Sequence, residues 1–244
     1  MNKVALYGNT YSDVVCYLKE YPEENKTNDM YFVENKPGGI HNVNRGISIC
    51  VSNVEVTMNP MMLSEAVILF NEKDSTRTSM VKNISEGEME CNVDDADWHH
   101  ISYIDNLTKI TEQNILDMKK TGIVSVDFCV GLNEDILSIL SNVNYIFGSK
   151  EDFTEKDIEL ILNKAPDCTV VLHDKNGTDT YNSDGVSTID YTDVIHGINP
   201  LGAGDYYVSC FIVQMLANES LHDTICASHR FATMMLKDEM LIFD

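Results

Sequence analysis

The chain has 244 residues and is strongly acidic, with 17 Lys and Arg against 39 Asp and Glu and a net charge of −22. A surface of that sign repels nucleic acid and anionic lipid, because proteins bind both through Lys and Arg, and we expect neither as a partner. No run of about 18 apolar residues occurs, so the sequence predicts no membrane-spanning segment.

Seven cysteines are scattered singly along the chain without a C-x-x-C pair. An odd, scattered set is typical of reduced thiols in a core and argues against a disulfide framework or a zinc site. Residues 1–6 run straight into a strand-like segment, which is too short for a signal peptide. We therefore expect a cytoplasmic protein.

The first third of the chain predicts a few regular elements separated by polar stretches. Strands are expected at residues 3–8, 30–33 and 54–58, and a helix at about residues 40–50 after a Gly-Gly turn. Two polar stretches, at about residues 17–37 and 75–92, interrupt this pattern. Together they predict a small β-rich structure attached to a larger sheet.

From residue 100 onward, strand-like and helical patterns alternate. Strands are expected at residues 100–104, 122–129, 144–147 and 169–173, and helices at residues 111–120, 133–141, 154–165, 204–217 and 221–236. Strands separated by helices of about 10–15 residues are typical of βαβ units, and they predict an α/β protein with a mostly parallel sheet between helices. We expect residues 1–244 to form a single domain. Neither a P-loop motif nor G-x-G-x-x-G occurs, which argues against P-loop and dinucleotide-binding proteins.

The segment at residues 198–205, Ile-Asn-Pro-Leu-Gly-Ala-Gly-Asp, has the composition of an anion-binding turn. Its small residues let backbone N–H groups approach an anion, and the helix that follows directs its positive end to the same place. That helix is apolar almost all round, which predicts that it is buried. The alternative is that Asp205 only complements the helix dipole and that the glycines only form a turn.

Two further segments contain residues suited to a polyol ligand. Gly38 and Gly39 open a predicted helix with Asn42 in its first turn, which can place an amide beside hydroxyl groups. Asp13 follows the first strand, where a carboxylate could accept hydrogen bonds from hydroxyls. The alternatives are an ordinary helix start and a solvated acid.

Taken together and in this order, these segments resemble the ribokinase, or PfkB-type, carbohydrate kinase family over nearly the whole chain. Asp13 falls where the family has a substrate-binding acid, and Gly38-Gly39-x-x-Asn42 is similar to its sugar-binding motif in the compact form of heptose kinases. The remaining matches are residues 148–151 to the N-x-x-E motif, 170–177 to the nucleotide-side strand and turn, 202–205 to the signature turn, and 230–233 to the helix near adenine.

The resemblance implies a ribokinase-like three-layer αβα sandwich with a mostly parallel central sheet and a small β lid. It implies ATP- and Mg²⁺-dependent phosphorylation of a sugar or sugar-like hydroxyl, with a heptose-type acceptor favoured and a nucleoside or other small alcohol as the alternative, and a homodimer formed through the lid. The implied roles are base for Asp205, anion hole for Gly202, Ala203 and Gly204, substrate binding for Asp13, Gly38, Gly39 and Asn42, nucleotide binding for Asp174, Gly177 and Thr233, and Mg²⁺ binding through water for Glu151.

The chain departs from the family pattern at several motif positions. Asn199 and Leu201 stand where an acid and a Thr are usual, and Gly148 stands where Asn is usual. The usual Thr-x-Gly nucleotide turn reads Leu-His-Asp at residues 172–174. These departures favour an alternative function, that of a catalytically impaired binding or interaction protein on the same fold.

Overall fold

The first strand organises the molecule because its apolar side chains alternate between two faces. In the computed structural model, which describes residues 1–24, 26, 30, 32–73, 75–84, 87–132, 134–193 and 199–240, β1 spans Asn2–Leu18. Val4 and Leu6 join the core on one face of the sheet, and Ala5 and Tyr7 join the core on the other. Successive side chains of a strand point to opposite faces, so this short run alone buries apolar surface in both layers.

The other elements follow in chain order. They are β2 (Phe32–Gly39), α1 (Ile40–Cys50), β3 (Val54–Asn71), β4 (Thr76–Asn83), β5 (Trp98–Ser102), α2 (Glu112–Thr121), β6 (Ile123–Asp127), β7 (Tyr145–Ser149), α3 (Glu155–Lys164), β8 (Thr169–Asp174), β9 (Gly177–Asn182), β10 (Gly185–Asp190), α4 (Ala203–Leu216) and α5 (Leu221–Met240). Short 3₁₀ helices lie at Ile104–Asn106, Glu134–Asn142 and Lys150–Asp152.

The strands of the described part of the chain form one 10-stranded sheet. Its order is β10-β9-β8-β7-β6-β5-β1-β3-β4, and β2 pairs with β1 off this path. The strands from β3 through β1, β5, β6 and β7 to β8 run parallel, whereas β2, β4, β9 and β10 pair antiparallel. The expected mostly parallel central sheet is confirmed, with antiparallel strands at its margins.

Helices cover both faces of the sheet. On one face, Ile115 of α2 and Ile161 of α3 pack with the sheet residues Val124 and Val170. On the other, α1, α4 and α5 pack against β1, β5 and β8. Residues 205–213 of α4 are all buried, as the apolar sequence of that helix predicted. The three-layer αβα architecture is therefore confirmed.

Four strands project beyond the main sheet and form a four-stranded extension. It consists of β2, the outer half of β1 (residues 10–17), the outer half of β3 (residues 62–71) and β4. Most of β2 lies in the polar stretch 17–37 and all of β4 in the stretch 75–92, of which residues 25, 27–29, 31, 85 and 86 lie outside the described residues. The two middle strands are continuations of core strands. Their polar residues, such as Asn9 and Ser12, concealed that continuation from the sequence pattern.

Two local predictions differ from the structure. The helix predicted at residues 133–141 is a 3₁₀ helix at Glu134–Asn142, with Asn133 outside the described residues. Ser138, Ser141 and Asn142 are poor formers of an α-helix because their side chains compete for backbone hydrogen bonds. The hairpin of β9 and β10 was not predicted. No helix in the described ranges is long and apolar enough to cross a membrane.

Candidate functional site

The packing of α1 on α4 brings the amino-terminal ends of these helices side by side. The helices approach closely at Gly46, where a Cβ atom would collide with the side chain of Ser209. Ser209 Oγ also donates a hydrogen bond to the backbone oxygen of Val43 over 3.0 Å. One turn earlier on each helix, this contact places Asn42 opposite Asp205.

Asp205, in the first turn of α4, has hydrogen bonds to both carboxylate oxygens. Asn42 Nδ2 donates to Oδ2 over 2.9 Å, and the Tyr103 hydroxyl donates to Oδ1 over 2.9 Å. Burial raises the pKa of Asp205 to about 6, against the lowering effects of Asn42, Tyr103 and the charge of Arg77. A buried carboxylate that titrates just below neutral pH is suited to accept a proton from a bound hydroxyl.

The turn before α4 presents backbone amides at the same place. Gly202 adopts a left-handed conformation with φ 81° and ψ −2°, a backbone that favours glycine. The Ala203 amide donates to the Pro200 oxygen over 3.1 Å, whereas the amides of Gly202 and Gly204 have no backbone acceptor in the described parts of the chain. The apolar side chain of Leu201 packs on the inner face of the extension against Val15 and its neighbours. Leu201, where the family usually has Thr, thus attaches the turn to the extension.

Asp13 and the Gly-Gly turn lie together at the base of the extension. Asp13 is only 5% exposed. A Cβ atom on Gly38 would collide with the Asp13 carboxylate, and one on Gly39, whose φ is 63°, would collide with the Asn9 backbone oxygen. Burial, and then the charge of Asp205, raise the pKa of Asp13 to about 6. The structure therefore brings Asp13, Gly38, Gly39, Asn42 and Asp205, all predicted substrate or catalytic residues, into one site.

Three residues that the sequence reasoning missed also belong to this site. Tyr103 contacts Asp205 directly, and Asp127 is a buried acid whose pKa is raised well above its usual value by burial and then by the charges of Asp205 and Asp105. Arg77 of β4 lowers the pKa of both Asp13 and Asp205. Tyr103 and Asp127 lie at the carboxyl ends of β5 and β6, where parallel sheets bind ligands, and this rule was the available signal. The sequence gives no comparable indication for Arg77.

On the other side of α4, the predicted nucleotide residues have structural contacts of their own. Asp174 Oδ1 accepts hydrogen bonds from the amides of Asn176 over 2.7 Å and Gly177 over 3.0 Å, which closes the tight turn between β8 and β9. Thr233 lies on α5 one turn after His229, whose Nε2 is 2.9 Å from Thr178 Oγ1 of β9. This helix therefore contacts β9 at the residue that follows the turn.

A histidine of β8 lies next to the amino-terminal end of α4. The His173 ring stacks on Tyr207 with centroids 4.6 Å apart. A Cβ atom on Gly204 would lie 3.4 Å from His173 Cε1. Burial, and then the nearby His229, lower the pKa of His173 to about 4, so its imidazole is neutral at physiological pH.

Glu151, the predicted Mg²⁺ residue, lies in the 3₁₀ helix that follows β7. Its side chain is exposed, and Asp152 is adjacent. At Gly148, where the family usually has Asn, a Cβ atom would collide with the Phe153 ring, so the packing of Phe153 accounts for this glycine. Within the described ranges, no three acidic, His or Cys side chains form a preassembled metal site.

Solved structures similar to this chain include ribokinases and nucleoside kinases. A nucleoside kinase of Methanocaldococcus jannaschii, an archaeal member of the ribokinase family, matches with a TM-score of 0.68 and 17% identity over 97% of this chain and 92% of its own. The nucleoside kinase of Burkholderia thailandensis in complex with inosine matches with a TM-score of 0.71 and 10% identity, over 96% of this chain and 90% of its own. Arabidopsis thaliana ribokinase, complexed with ribose and ATP, matches with a TM-score of 0.66 and 12% identity, over 97% of this chain and 93% of its own.

The sequence itself identifies the family. The model of the pfkB family of carbohydrate kinases matches residues 64–243, and the chain belongs to this family. A comparison with curated protein sequences gave no significant match. The resemblance predicted from the motifs is confirmed at the level of family and fold.

Proposed function

We propose that this protein is an ATP- and Mg²⁺-dependent kinase that phosphorylates a hydroxyl group of a sugar or sugar-like small molecule. The observation that carries the proposal is the position of the Asp205 carboxylate. It is buried at the amino-terminal end of α4, with Asn42 within hydrogen-bond distance and the charge of Asp13 close enough to interact. Family membership supports a phosphoryl transfer to an alcohol.

In the proposed reaction, Asp205 is the general base. It takes the proton of the acceptor hydroxyl as that oxygen forms a bond to the γ-phosphorus of ATP, and the bond from this phosphorus to the bridging oxygen of ADP breaks. The Gly202–Gly204 turn is the anion hole, in which the amides of Gly202 and Gly204 donate to the transferred group and Ala203 provides a small side chain. Positioning and electrostatic stabilisation supply most of the rate in such transfers.

The residues on the donor side fit a nucleotide with a hard metal ion. Glu151 and Asp152 provide carboxylate oxygens, and Mg²⁺ is usually held by one or two carboxylates, water and substrate phosphates. The ion would neutralise charge on the phosphates. We propose nucleotide contacts at Asp174, Gly177 and Thr233, and a water-mediated contact between Glu151 and Mg²⁺. Gly148 leaves this site without the side-chain amide usual in the family.

The acceptor is proposed to lie between the inner face of the extension and α1. Asp13 and Asn42 would bind its hydroxyls, and Gly38 and Gly39 would let it approach the backbone. A heptose-type sugar is our first candidate because of the compact Gly-Gly motif. Nucleosides are the second, since two of the similar structures are nucleoside kinases.

An ADP-release assay with Mg²⁺ and ATP over a panel of heptoses, pentoses, hexoses and nucleosides tests the proposal. We expect turnover with one class of acceptor and a loss of about 10³-fold in Asp205→Asn, since general acid–base catalysis contributes ~10²–10⁴-fold. Asp117→Asn is the matched control, because Asp117 is partly exposed on α2, in a different helix layer from α4. Equal turnover by the parent and Asp205→Asn would exclude Asp205 as the base.

A second candidate function is that of a sugar-binding protein with weakened or lost phosphoryl transfer. It is favoured by the donor side, where Gly148 accommodates Phe153 and Asp174 closes a turn in place of the usual nucleotide-binding residues. Thermal unfolding with ligands separates the two functions. Stabilisation by a sugar but by no nucleotide, with or without Mg²⁺, would support the binding protein.

The extension is proposed to act as a lid on a single ribokinase-like domain and as a homodimer interface. Its outer face exposes Val33, Val67 and Met80, and Val67 pairs directly with Met80. Apolar side chains of this kind are typical of a surface that is covered in an assembly. Light scattering should give a dimer that Val67→Lys dissociates.

The seven free thiols agree with the expected cytoplasmic location.

A further inference from the structure

We propose that Tyr103 is the positioning residue of the catalytic site, holding the Asp205 carboxylate in the orientation that its role as base requires. This inference rests on the proposed function of Asp205. The two residues are 102 positions apart and meet through a hydrogen bond of 2.9 Å from the Tyr103 hydroxyl to Asp205 Oδ1. The first observation is thus a direct, short contact to a buried carboxylate.

The backbone of Tyr103 gives the second observation. Tyr103 directly follows β5 and adopts a left-handed conformation, with φ 57° and ψ 51°. A non-glycine residue in this conformation is strained and persists where the surrounding structure imposes it, often at functional sites. Here the left-handed turn redirects the chain at the carboxyl end of β5, and the Tyr103 side chain reaches Asp205.

The ring of Tyr103 is held from a second side. It packs edge-on against Tyr11 of the extension, with centroids 6.0 Å apart and an interplanar angle of 74°. Tyr11 is in turn near Asn9 Nδ2, at 3.4 Å from its hydroxyl. A phenol that is fixed by its neighbours donates to the carboxylate without losing much side-chain freedom, which is the condition for preorganisation.

The hydrogen-bond geometry leaves room for the substrate. A carboxylate has about four lone-pair sites, and Asn42 and Tyr103 occupy one on each oxygen. The remaining sites can accept the proton of a hydroxyl. Because Tyr103 fixes Oδ1 and Asn42 fixes Oδ2, the plane of the carboxylate is set before substrate binds.

Tyr103 also favours the charged form of Asp205, a residue that lies near both acidic and basic side chains. Asp205 interacts with the acids Asp13 of β1 and Asp127 of β6, with the Cys129 thiol, and with Arg77 of β4. Hydrogen bonds from Asn42 and Tyr103 lower its pKa against the effect of burial. Removing the Tyr103 hydroxyl therefore raises the pKa of Asp205.

The test compares Tyr103→Phe with the parent protein by two measurements. In kinetics, we expect the acid limb of the kcat/KM profile to move up by about one pH unit, with kcat near pH 6 about fivefold lower and the acceptor KM within about threefold. In ¹³C NMR of Asp-labelled protein, the Asp205 carboxyl, assigned by its loss in Asp205→Asn, should titrate at higher pH by the same amount. The NMR measurement does not depend on any activity.

Controls separate positioning from a general effect on folding. Tyr145→Phe removes a hydroxyl at the amino-terminal end of β7, where the ring stacks on Trp98, and should leave the pH profile and the Asp205 titration unchanged. A site-specifically incorporated 3-fluorotyrosine at position 103 keeps the fold and donates more strongly, so it should lower the Asp205 pKa. It serves as the second variant if Tyr103→Phe is unstable.

The outcomes distinguish this inference from the proposed function. If Tyr103→Phe loses activity by the same factor at every pH, and neither it nor the fluorinated protein shifts the Asp205 titration, Tyr103 is not the positioning residue. If the titration shifts but Asp205→Asn retains full turnover, the contact exists and the assignment of Asp205 as base is wrong, which also removes the catalytic role of Tyr103.

Discussion

The acceptor side and the donor side of the site differ in how their residues are engaged. On the proposed acceptor side, Asp13, Asn42 and Asp205 converge, and Asp205 accepts hydrogen bonds from Asn42 and Tyr103 and interacts with the charge of Asp13. On the donor side, Asp174 closes a turn and Gly148 accommodates the Phe153 ring. Motif residues on the proposed acceptor side converge on one another, whereas those on the proposed donor side make contacts that maintain the local fold.

This difference has an energetic consequence. Asp13 and Asp205 are buried acids whose pKa values are raised to about 6, so their charged forms are held at a cost in stability. The Asp174 carboxylate, in contrast, accepts hydrogen bonds from two backbone amides. Perturbed carboxylates of this kind are typical of functional sites, which agrees with the acceptor site proposed above.

The largest effect expected from this comparison is that of Asp13→Asn. We expect kcat/KM for the acceptor to fall about 100-fold, or ~2.7 kcal/mol, since a site built to bind hydroxyls loses a charged acceptor. The KM for ATP should stay within about threefold. Steady-state kinetics with each substrate varied in turn measures both. An equal rise of the two KM values would mean that the two sides are not separate.

The donor side is tested by Gly148→Asn, which restores the usual family residue. We expect it to lower the free energy of unfolding by about 1–3 kcal/mol, because overpacking against Phe153 costs that much, and to leave the KM for ATP no better. Chemical denaturation and kinetics provide the measurements. Gly87→Asn is the control, since a Cβ there meets nothing within 4 Å among the described residues. Tighter ATP binding without loss of stability would contradict our account of Gly148.

The smallest effect concerns the charge that β4 contributes to the acceptor side. The Arg77 cation favours the charged forms of Asp13 and Asp205, so Arg77→Gln raises both pKa values. The base must be deprotonated, and the acid limb of kcat/KM should therefore move up by about half a pH unit, with little change at pH 8. Arg77 is exposed, and added salt should reduce the shift. Arg77→Lys should keep the parent profile, and an identical shift in Arg77→Lys would exclude the charge as its cause.

Local patterns were sufficient to predict most of the fold. The alternation of strands and helices after residue 100, the Gly-Gly start of α1 and the apolar α4 each depend on neighbours in sequence, and the structure has them. The long β1 was not predicted, because polar residues such as Ser12 and Asp13 interrupt its apolar pattern and the strand is held there by hydrogen bonds to β2 and β3 that no local pattern reveals. The type of helix at residues 134–142 was not predicted either, because the apolar spacing of this segment is compatible with an α-helix and with a 3₁₀ helix.

Part of the site was also predicted from local sequence patterns. Asp13, Gly38, Gly39, Asn42 and Asp205 lie in short motifs, and their convergence follows once the strands are in order. Tyr103 and Arg77 lie in no motif. Their positions depend on a left-handed backbone at the end of β5 and on the pairing of Arg77 with Phe70 across β3 and β4. Neither feature has a signature in the residue types themselves.

The continuity of β1 and β3 between core and extension determines how the extension can move. The two strands pair from Asn2 to Leu18, over about 55 Å at ~3.3 Å per residue, with one shift of register between Gly8 and Asn9. Such irregularities bend a strand, and a hinge at this step would swing the outer sheet while its hydrogen bonds remain intact. Amide exchange should accordingly be fast at this step and slow on both sides of it. Because the Asn9 carbonyl abuts Gly39, rotation about the hinge would displace the Gly-Gly turn. Closure of the extension would therefore change the geometry of the proposed acceptor site.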